Sequence, residues 1–347
     1  MNANQQFNPW LASSESPQWI GLDIGGANLK IADGRGQAAS LAYALWKEPQ
    51  GLAAAIASLI NDFCVQNNSP VALTMTGELA DCYATKADGV RAIIDATIDA
   101  VGERVVRVAA VDDCWLTPVE AKETPERVAA ANWRLGARLV GRSYPNGRGL
   151  WVDIGSTTTD VIPIEEGNVI AAGANDTERL LAGELVYTGV RRTPVCALAD
   201  HLPYRGRECP VAAEWFATTA DSWLLLGELP EDPTDCGTAD GRPMVRQAAI
   251  ERLARCVCAD RVSFDESDAL VAARHIAAIQ TAKIADAIAR HRVEWAVFTG
   301  EGDFLAKQVC NVSNVFIASG FVGASASRAF PAHAAAVLAS HEIGAAR

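Results

Sequence analysis

The chain has 347 residues, 50% hydrophobic and 21% charged, which is the make-up of a soluble globular protein large enough for two buried cores. Its formal net charge of −12 argues against a nucleic-acid partner, whose phosphates it would repel, but not against a small phosphorylated ligand held by a local positive field. No apolar run approaches the roughly 18–20 residues needed to span a bilayer, so no membrane partner is expected.

Residues 1–18 carry neither a basic nor an apolar leader segment and read as a flexible tail, with the cytoplasm as the expected location. The chain then runs as strand 19–24, a turn at Gly25-Gly26-Ala27-Asn28 and a return strand 29–32. A further strand near 41–46 and an Ala-rich helix from about Gly51 to Gln66 follow. The apolar run 71–75 is a buried strand that delivers the polar turn Thr76-Gly77-Glu78, ahead of a helix from about Gly89 to Val101 and a strand at 104–111. Thr124-Pro125-Glu126 is a helix start, with Thr at the cap and Pro at the first helical position, for a helix reaching Gly141.

A second unit repeats the opening: strand 149–154, a turn at Gly155-Ser156-Thr157-Thr158, and strands 160–164 and 168–171. Residues 194–245, rich in Pro, Gly, Cys and Asp, read as a substrate-facing insertion of short helices and loops. A long helix at about 266–291 has Leu270, Ala273, Ala277, Ile284 and Ile288 on one face. Strand 295–298, the turn Thr299-Gly300-Glu301-Gly302, a helix at 303–309, a strand at 314–318 and an Ala-rich closing helix after Pro331 complete the chain. Strand–strand–strand–helix order in both halves predicts an α/β protein of mixed sheets flanked by helices, not the strict alternation of a dinucleotide-binding fold.

Asp23 and Asp153 each end a buried strand just before a small-residue turn. That position suits a carboxylate holding a hydrated divalent cation, and turn amides suit phosphate oxygens. Either Asp alone could simply cap its turn; two in the same context favour a cleft that closes on phosphate and metal from both sides. The predicted phosphate-binding positions are Gly25, Gly26, Asn28, Gly155, Ser156, Thr157, Thr158, Gly300 and Gly302, with Mg²⁺ at Asp23 and Asp153. Lys30 faces either the phosphates or solvent. Arg191 and Arg192 form either an anion clamp or a solvated pair. Glu78 and Asp81 are placed for acid–base work or as acids at a helix start. Glu301 reads as a metal-associated acid, a base, or a group that excludes nucleotide.

The nine cysteines, an odd number with no C-x-x-C spacing, are read as reduced thiols, with a metal cluster of Cys196, His201, Cys209 and Cys236 as the alternative. The five histidines show no triad or ligand spacing and read as structural or surface residues.

The paired Asp-Gly turns and the late Gly turn resemble those of the actin/sugar-kinase/Hsp70 superfamily. Gly21-Leu-Asp23-Ile-Gly-Gly26 and Asp153-Ile-Gly-Ser-Thr-Thr-Thr-Asp160 are similar to its hydantoinase/oxoprolinase branch. Thr74-Met-Thr-Gly-Glu78-Leu-Ala-Asp81, Ala130-Ala-Asn132-Trp133, Gly183-Glu184-Leu-Val-Tyr, Arg192-Thr-Pro-Val-Cys196 and Phe298-Thr-Gly-Glu-Gly302 resemble one subfamily, linked to tetrahydromethanopterin-dependent one-carbon transfer.

The resemblance implies two RNase H-like domains, 19–148 and 149–330, with the insertion 194–245 in the second and residues 331–347 packing back on the first. It implies a transferase of methanofuran/methylofuran biosynthesis. Such an enzyme joins an aminomethylfuran carrying a diphosphate-activated methanol to the phenol of γ-glutamyltyramine, making an aryl ether and releasing pyrophosphate. Glu78, Asp81 or Glu301 would take the phenol proton; Lys30, Asn132, Glu184, Arg191 and Arg192 are candidate substrate contacts. Mg²⁺ is the expected cofactor, ATP is disfavoured, the partner is a phosphorylated small molecule, and an oligomer is compatible with the sequence. The competing readings are an ATP-dependent hydrolase or kinase in the same cleft and a non-catalytic ligand-responsive protein.

Overall fold

In the computed structural model, which describes residues 8–14, 16–63 and 68–343, the chain builds two sheets of related topology. The first has the order β3-β2-β1-β4-β5-β6, formed by β1 (Ile20–Ile24), β2 (Asn28–Ala32), β3 (Ala38–Ala42), β4 (Val71–Met75), β5 (Val106–Ala109) and β6 (Trp115–Leu116). The second contains β7 (Arg148–Ile154), β8 (Thr159–Glu165), β9 (Asn168–Val169) and β10 (Leu185–Val186). A separate hairpin, β11 (His201–Tyr204) with β12 (Arg207–Pro210), precedes its last strands, β13 (Trp295–Thr299) and β14 (Asn314–Ile317). Its order is β10-β8-β7-β13-β14, with β9 on β8.

Each sheet therefore starts with an antiparallel hairpin whose first strand pairs in parallel with a strand from much later in the chain. Asp23 lies beside Thr74 in one parallel pair and Asp153 beside Thr299 in the other. The duplicated turns thus occupy equivalent ends of two equivalent sheets, as expected for mixed sheets flanked by helices.

The outer face of the first sheet is covered by helices Leu52–Asp62 and Lys86–Val101, whose Leu52, Ile56, Ile93 and Ile94 are buried against Leu22, Ile24 and Leu73. The first helix ends at Asp62 with Phe63 as its C-cap, short of the expected Gln66, which itself lies outside the described residues. The second helix starts at Lys86, with Thr85 as its cap, rather than near Gly89. Gly89 sits in its first turn because a Cβ there would lie 2.1 Å from the Glu78 carbonyl oxygen. The expected helix over 124–141 is broken into Pro125–Val128 and Asn132–Ser143, since Ala130 adopts a left-handed φ of 49° that no helix continues.

Helices Asn132–Ser143 and Phe330–Glu342 fill the space between the two sheets. The closing helix is nearly all alanine where it meets β1, and a Cβ on Gly21 would lie 1.8 Å from the Ala332 oxygen. Gly136 gives the other helix the same close approach to the Trp151 ring. On the far side of the second sheet, helix Glu266–Ala289 packs with Thr219–Leu225 and Arg246–Cys256, and an Asp265–Asp268 capping box fixes its start. The insertion over 194–245 consists of short helices and loops, as expected, with a hairpin in addition. It holds helix Val195–Leu198 and the β11–β12 hairpin as well as Thr219–Leu225.

The described part of the N-terminal segment departs from a flexible tail. Trp10 is 4% exposed, stacks on Phe321 at 5.6 Å and lends its carbonyl to His333 Nε2 at 2.8 Å. Trp10→Ala is expected to lower stability by about 3–5 kcal/mol, the usual cost of emptying a buried tryptophan site, read as a midpoint shift in denaturant. Among the described residues, Cys196, Cys209 and Cys236 are free thiols and no three His, Cys, Asp or Glu side chains are grouped to hold a metal. Nor is any helix among them long and apolar enough to cross a membrane.

Candidate active site

The site is built by the ends of β1, β2, β4, β7, β8 and β13. In the β1–β2 hairpin Lys30 stands directly opposite Asp23, and in the β7–β8 hairpin Asp160 stands directly opposite Asp153. Asp23, Asp153 and Asp160 are all buried, and the Lys30 ammonium acts on all three carboxylates. Lys30 therefore lies on the side of these carboxylates, towards the inter-sheet cleft. The two hairpins place one lysine and three aspartates around a common space.

Burial dominates the electrostatics. It pushes Asp23 up to about 6, opposed by Lys30 and reinforced by Asp160. It pushes Asp153 up to about 7, again opposed by Lys30 and reinforced by Asp160, while a hydrogen bond from Thr299 favours the charged form. Thr299 Oγ1 is itself oriented by Trp151 Nε1, which donates to it at 3.0 Å. Oδ1 of Asp23 is buried with no hydrogen-bond partner, which carries a desolvation penalty that a bound cation or its water would remove. Two facing carboxylates, one with an orphaned oxygen, suit a hydrated Mg²⁺, which keeps most of its waters and needs only one or two protein carboxylates.

Asp160 is neutralised differently. Arg179, 2% exposed, pairs with Asp160 and Asp176, and its guanidinium lies 4.6 Å from the Trp133 ring centroid. This Trp–Arg–Asp stack fixes the floor of the site. Trp133 belongs to a motif singled out in the sequence, but its partner Arg179 does not, and only the fold brings them together.

The three candidate bases separate clearly. Glu78 follows β4, is 1% exposed and keeps Oε2 without a partner. Burial raises it to about 7; its own amide and Lys86 oppose, while Asp176 and Asp23 add to the rise. Asp81 lies on the exposed surface of the same turn. Glu301 accepts a 2.6 Å hydrogen bond from Arg191 Nε, so each satisfies the other's charge. Arg191 also reaches Asp235 and is committed to this pairing rather than free as an anion clamp.

The phosphate turns need a correction of detail. The amides of Gly25 and Gly155 donate across their own hairpins to Asn28 and Thr158, and those of Gly300 and Gly302 donate to Ser327 and Ile154. These glycines shape the turns and do not offer amides. Gly300, at φ +92°, lets its loop pass where a Cβ would lie 2.4 Å from the Ile154 oxygen and 2.9 Å from Asp153 Oδ1. Within the described residues of these turns, the amides of Gly26, Ala27, Ser156, Thr157, Thr158 and Glu301 donate to no protein acceptor. A Cβ on Gly26 would meet nothing within 4 Å, so that turn opens onto free space.

Two further expectations shift. Both carboxylate oxygens of Glu184 accept backbone amides, from Ala172 at 2.6 Å and Gly173 at 3.0 Å, so this residue braces a loop and does not face substrate. Asn132 is half-buried at the first position of its helix, next to Trp133. Arg192 stacks at 5.1 Å on the ring of Trp46, a contact that bridges the two halves of the molecule and that no spacing in the sequence signals.

The hydantoinase/oxoprolinase family profile matches residues 70–341. A Methanocaldococcus jannaschii protein named (4-{4-[2-(gamma-L-glutamylamino)ethyl]phenoxymethyl}furan-2-yl)methanamine synthase is 35% identical over 331 residues, spanning 93% of this chain and 98% of its own length. A protein of the same name from Methanococcus vannielii is 39% identical over 118 residues, 33% of this chain and 53% of that one. Among solved structures, nucleotide-free acetone carboxylase superposes with a TM-score of 0.53 at 11% identity, covering 92% of this chain and 70% of that one, a likeness of fold.

Proposed function

This chain belongs to the hydantoinase/oxoprolinase family, and from that membership we propose that its cleft joins a furfuryl group to a phenol as an aryl ether, with diphosphate as the leaving group. The observation that carries this reading is the end-to-end similarity to the M. jannaschii synthase, whose name describes a phenoxymethylfuran, an aryl ether. The chain is accordingly a transferase of methanofuran-type cofactor biosynthesis, and its free thiols suit the reducing cytoplasm.

The residues divide the work as follows. Lys30 and the open amides of Gly26, Ala27, Ser156, Thr157 and Thr158 grip the diphosphate oxygens. The furfuryl C–O bond breaks with its electron pair leaving on the diphosphate, and the furan ring oxygen stabilises the cationic carbon. Glu78 takes the phenol proton, its near-neutral carboxyl suiting a general base at physiological pH, and the phenol oxygen forms the new bond to the methylene carbon. Mg²⁺, held through water by Asp23 and Asp153, would offset the charge that builds on the departing diphosphate.

The test is direct. Purified protein supplied with the furfuryl diphosphate and γ-glutamyltyramine is expected to release pyrophosphate and aryl ether in equal amounts, and pyrophosphate release should depend on the phenol. ATP turnover without ether formation would overturn the reading in favour of an ATP-dependent hydrolase or kinase.

A further inference from the structure

Against the Ser156–Thr158 turn lies a cavity of about 130 Å³, most of whose lining the proposed chemistry does not use. Its polar lining is Thr157, Tyr187, Thr188, Arg192, Thr193 and Lys283. Thr157 is shared with the phosphate turn, and the 188–193 loop is clamped onto that turn by Val190, Arg191 and Arg192 amides donating to Gly155 and Ser156 carbonyls. The wall is rigid: Gln280 Nε2 donates to Thr188 Oγ1 at 2.9 Å, Thr159 Oγ1 to the Thr188 carbonyl at 2.8 Å, and the Thr188 and Thr193 hydroxyls bond each other.

The charge pattern is unusual for this chain. With 42 acidic against 30 basic side chains, acids are in excess, and many arginines are ion-paired. Yet among the described residues neither Arg192 nor Lys283 has a carboxylate within ion-pair distance, and both line one small cavity together with three threonines. The Thr188 and Thr193 hydroxyls are spent on each other and on the Gly189 carbonyl, but two uncompensated cations beside the Thr157 and Tyr187 hydroxyls make a receptor for a compact anion. The Arg192 guanidinium is already placed, because it rests on the Trp46 ring across the cleft.

We propose that this cavity is the carboxylate subsite for the phenolic substrate, holding the α-carboxylate of its glutamyl end while the phenol end reaches Glu78. The inference rests on the aryl-ether reading, in which a phenol extended by a glutamyl group must bind beside the diphosphate. The cavity is too small for the ring system of either substrate but accommodates a carboxylate head group. The competing anion is a phosphate of the donor, and it is separated by which substrate's KM responds.

The experiment compares γ-glutamyltyramine with N-acetyltyramine, which keeps the phenol and the amide but has no carboxylate, in the full-length protein. Lys283 is exposed, so Lys283→Ala carries little risk to folding, and Arg192→Gln supplies an independent second variant. The wild type should prefer γ-glutamyltyramine, and each variant should lower that preference in kcat/KM by roughly tenfold or more, as for loss of one charge-assisted hydrogen bond. The fall should lie in KM for the phenol, with KM for the furfuryl diphosphate unmoved. An equal loss on both phenols, or a raised KM for the diphosphate instead, would overturn the subsite. Absence of ether formation from either phenol by the wild type would instead defeat the underlying functional reading.

Discussion

Asp153→Asn is expected to lower kcat by about 10³-fold while raising the thermal stability of the metal-free protein above pH 7. The first effect follows from position. Asp153 ends β7 at the cleft, faces Asp23 across it and receives a hydrogen bond from Thr299, so it is the best-oriented carboxylate for charge stabilisation of a departing diphosphate. Losing one such preorganised group typically costs about 10²–10³ in rate, and losing a metal position costs more. The second effect follows from burial. The Asp153 carboxyl stands near 7 in the folded protein against an ordinary 3.8, so between those values the folded state holds a proton that the unfolded chain has released. Metal-free stability therefore falls as pH rises from about 4 to about 7, by roughly 1.4 kcal/mol for each unit of difference. An asparagine buries no charge and escapes that loss. Asp23→Asn should behave alike with a smaller stability gain, because burial lifts Asp23 only to about 6. Pyrophosphate release gives the first number, and melts in chelator at pH 5 and pH 8 give the second. A variant that melts no higher at pH 8, or that keeps its turnover, contradicts this account of Asp153.

The elements of this site differed in how far the sequence revealed them. Asp23 and Asp153 were legible because a buried strand, an acid and a small-residue turn are all local, and each is printed twice in the chain. The cross-strand partners follow the same hairpin register: Lys30 stands out in the sequence as the cation beside the first turn, whereas Asp160 emerges as its counterpart only when the two registers are aligned. The glycines pointed to the right turns for the wrong atoms. Closing a tight hairpin uses the amide of the first glycine, so Gly25 and Gly155 spend theirs internally and the neighbouring residues keep theirs open. Glu78, Asp81 and Glu301 looked alike because burial and pairing are tertiary properties. Only the fold shuts Glu78 away from water, leaves Asp81 outside and gives Glu301 to Arg191. Arg179 and Trp46 were illegible for the same reason: each acts through a contact with a residue far away in sequence.

Glu78→Gln carries the second large effect, a fall in kcat of about 10²–10⁴-fold, the range for removing a positioned general base. Glu78 is the one candidate base that is both buried and unpaired, with Oε2 free of any protein partner and the carboxyl lifted to about 7. A base with that value must lose its proton before it can accept one from the phenol. The wild-type kcat should therefore rise with pH through an acid limb near 7 and level above it. In Glu78→Gln the limb should vanish along with most of the rate, since glutamine neither titrates nor accepts the proton. The role of a base can be separated from a merely structural one by changing the phenol. An acceptor acidic enough to be ionised at neutral pH, such as a nitro-substituted analogue, arrives without the proton and should restore much of the variant's rate while doing little for the wild type. Structural damage would slow both acceptors equally. If Glu301→Gln removed the limb while Glu78→Gln kept it, the proton would have to leave through the carboxylate paired with Arg191, and the assignment would pass to the other side of the cleft.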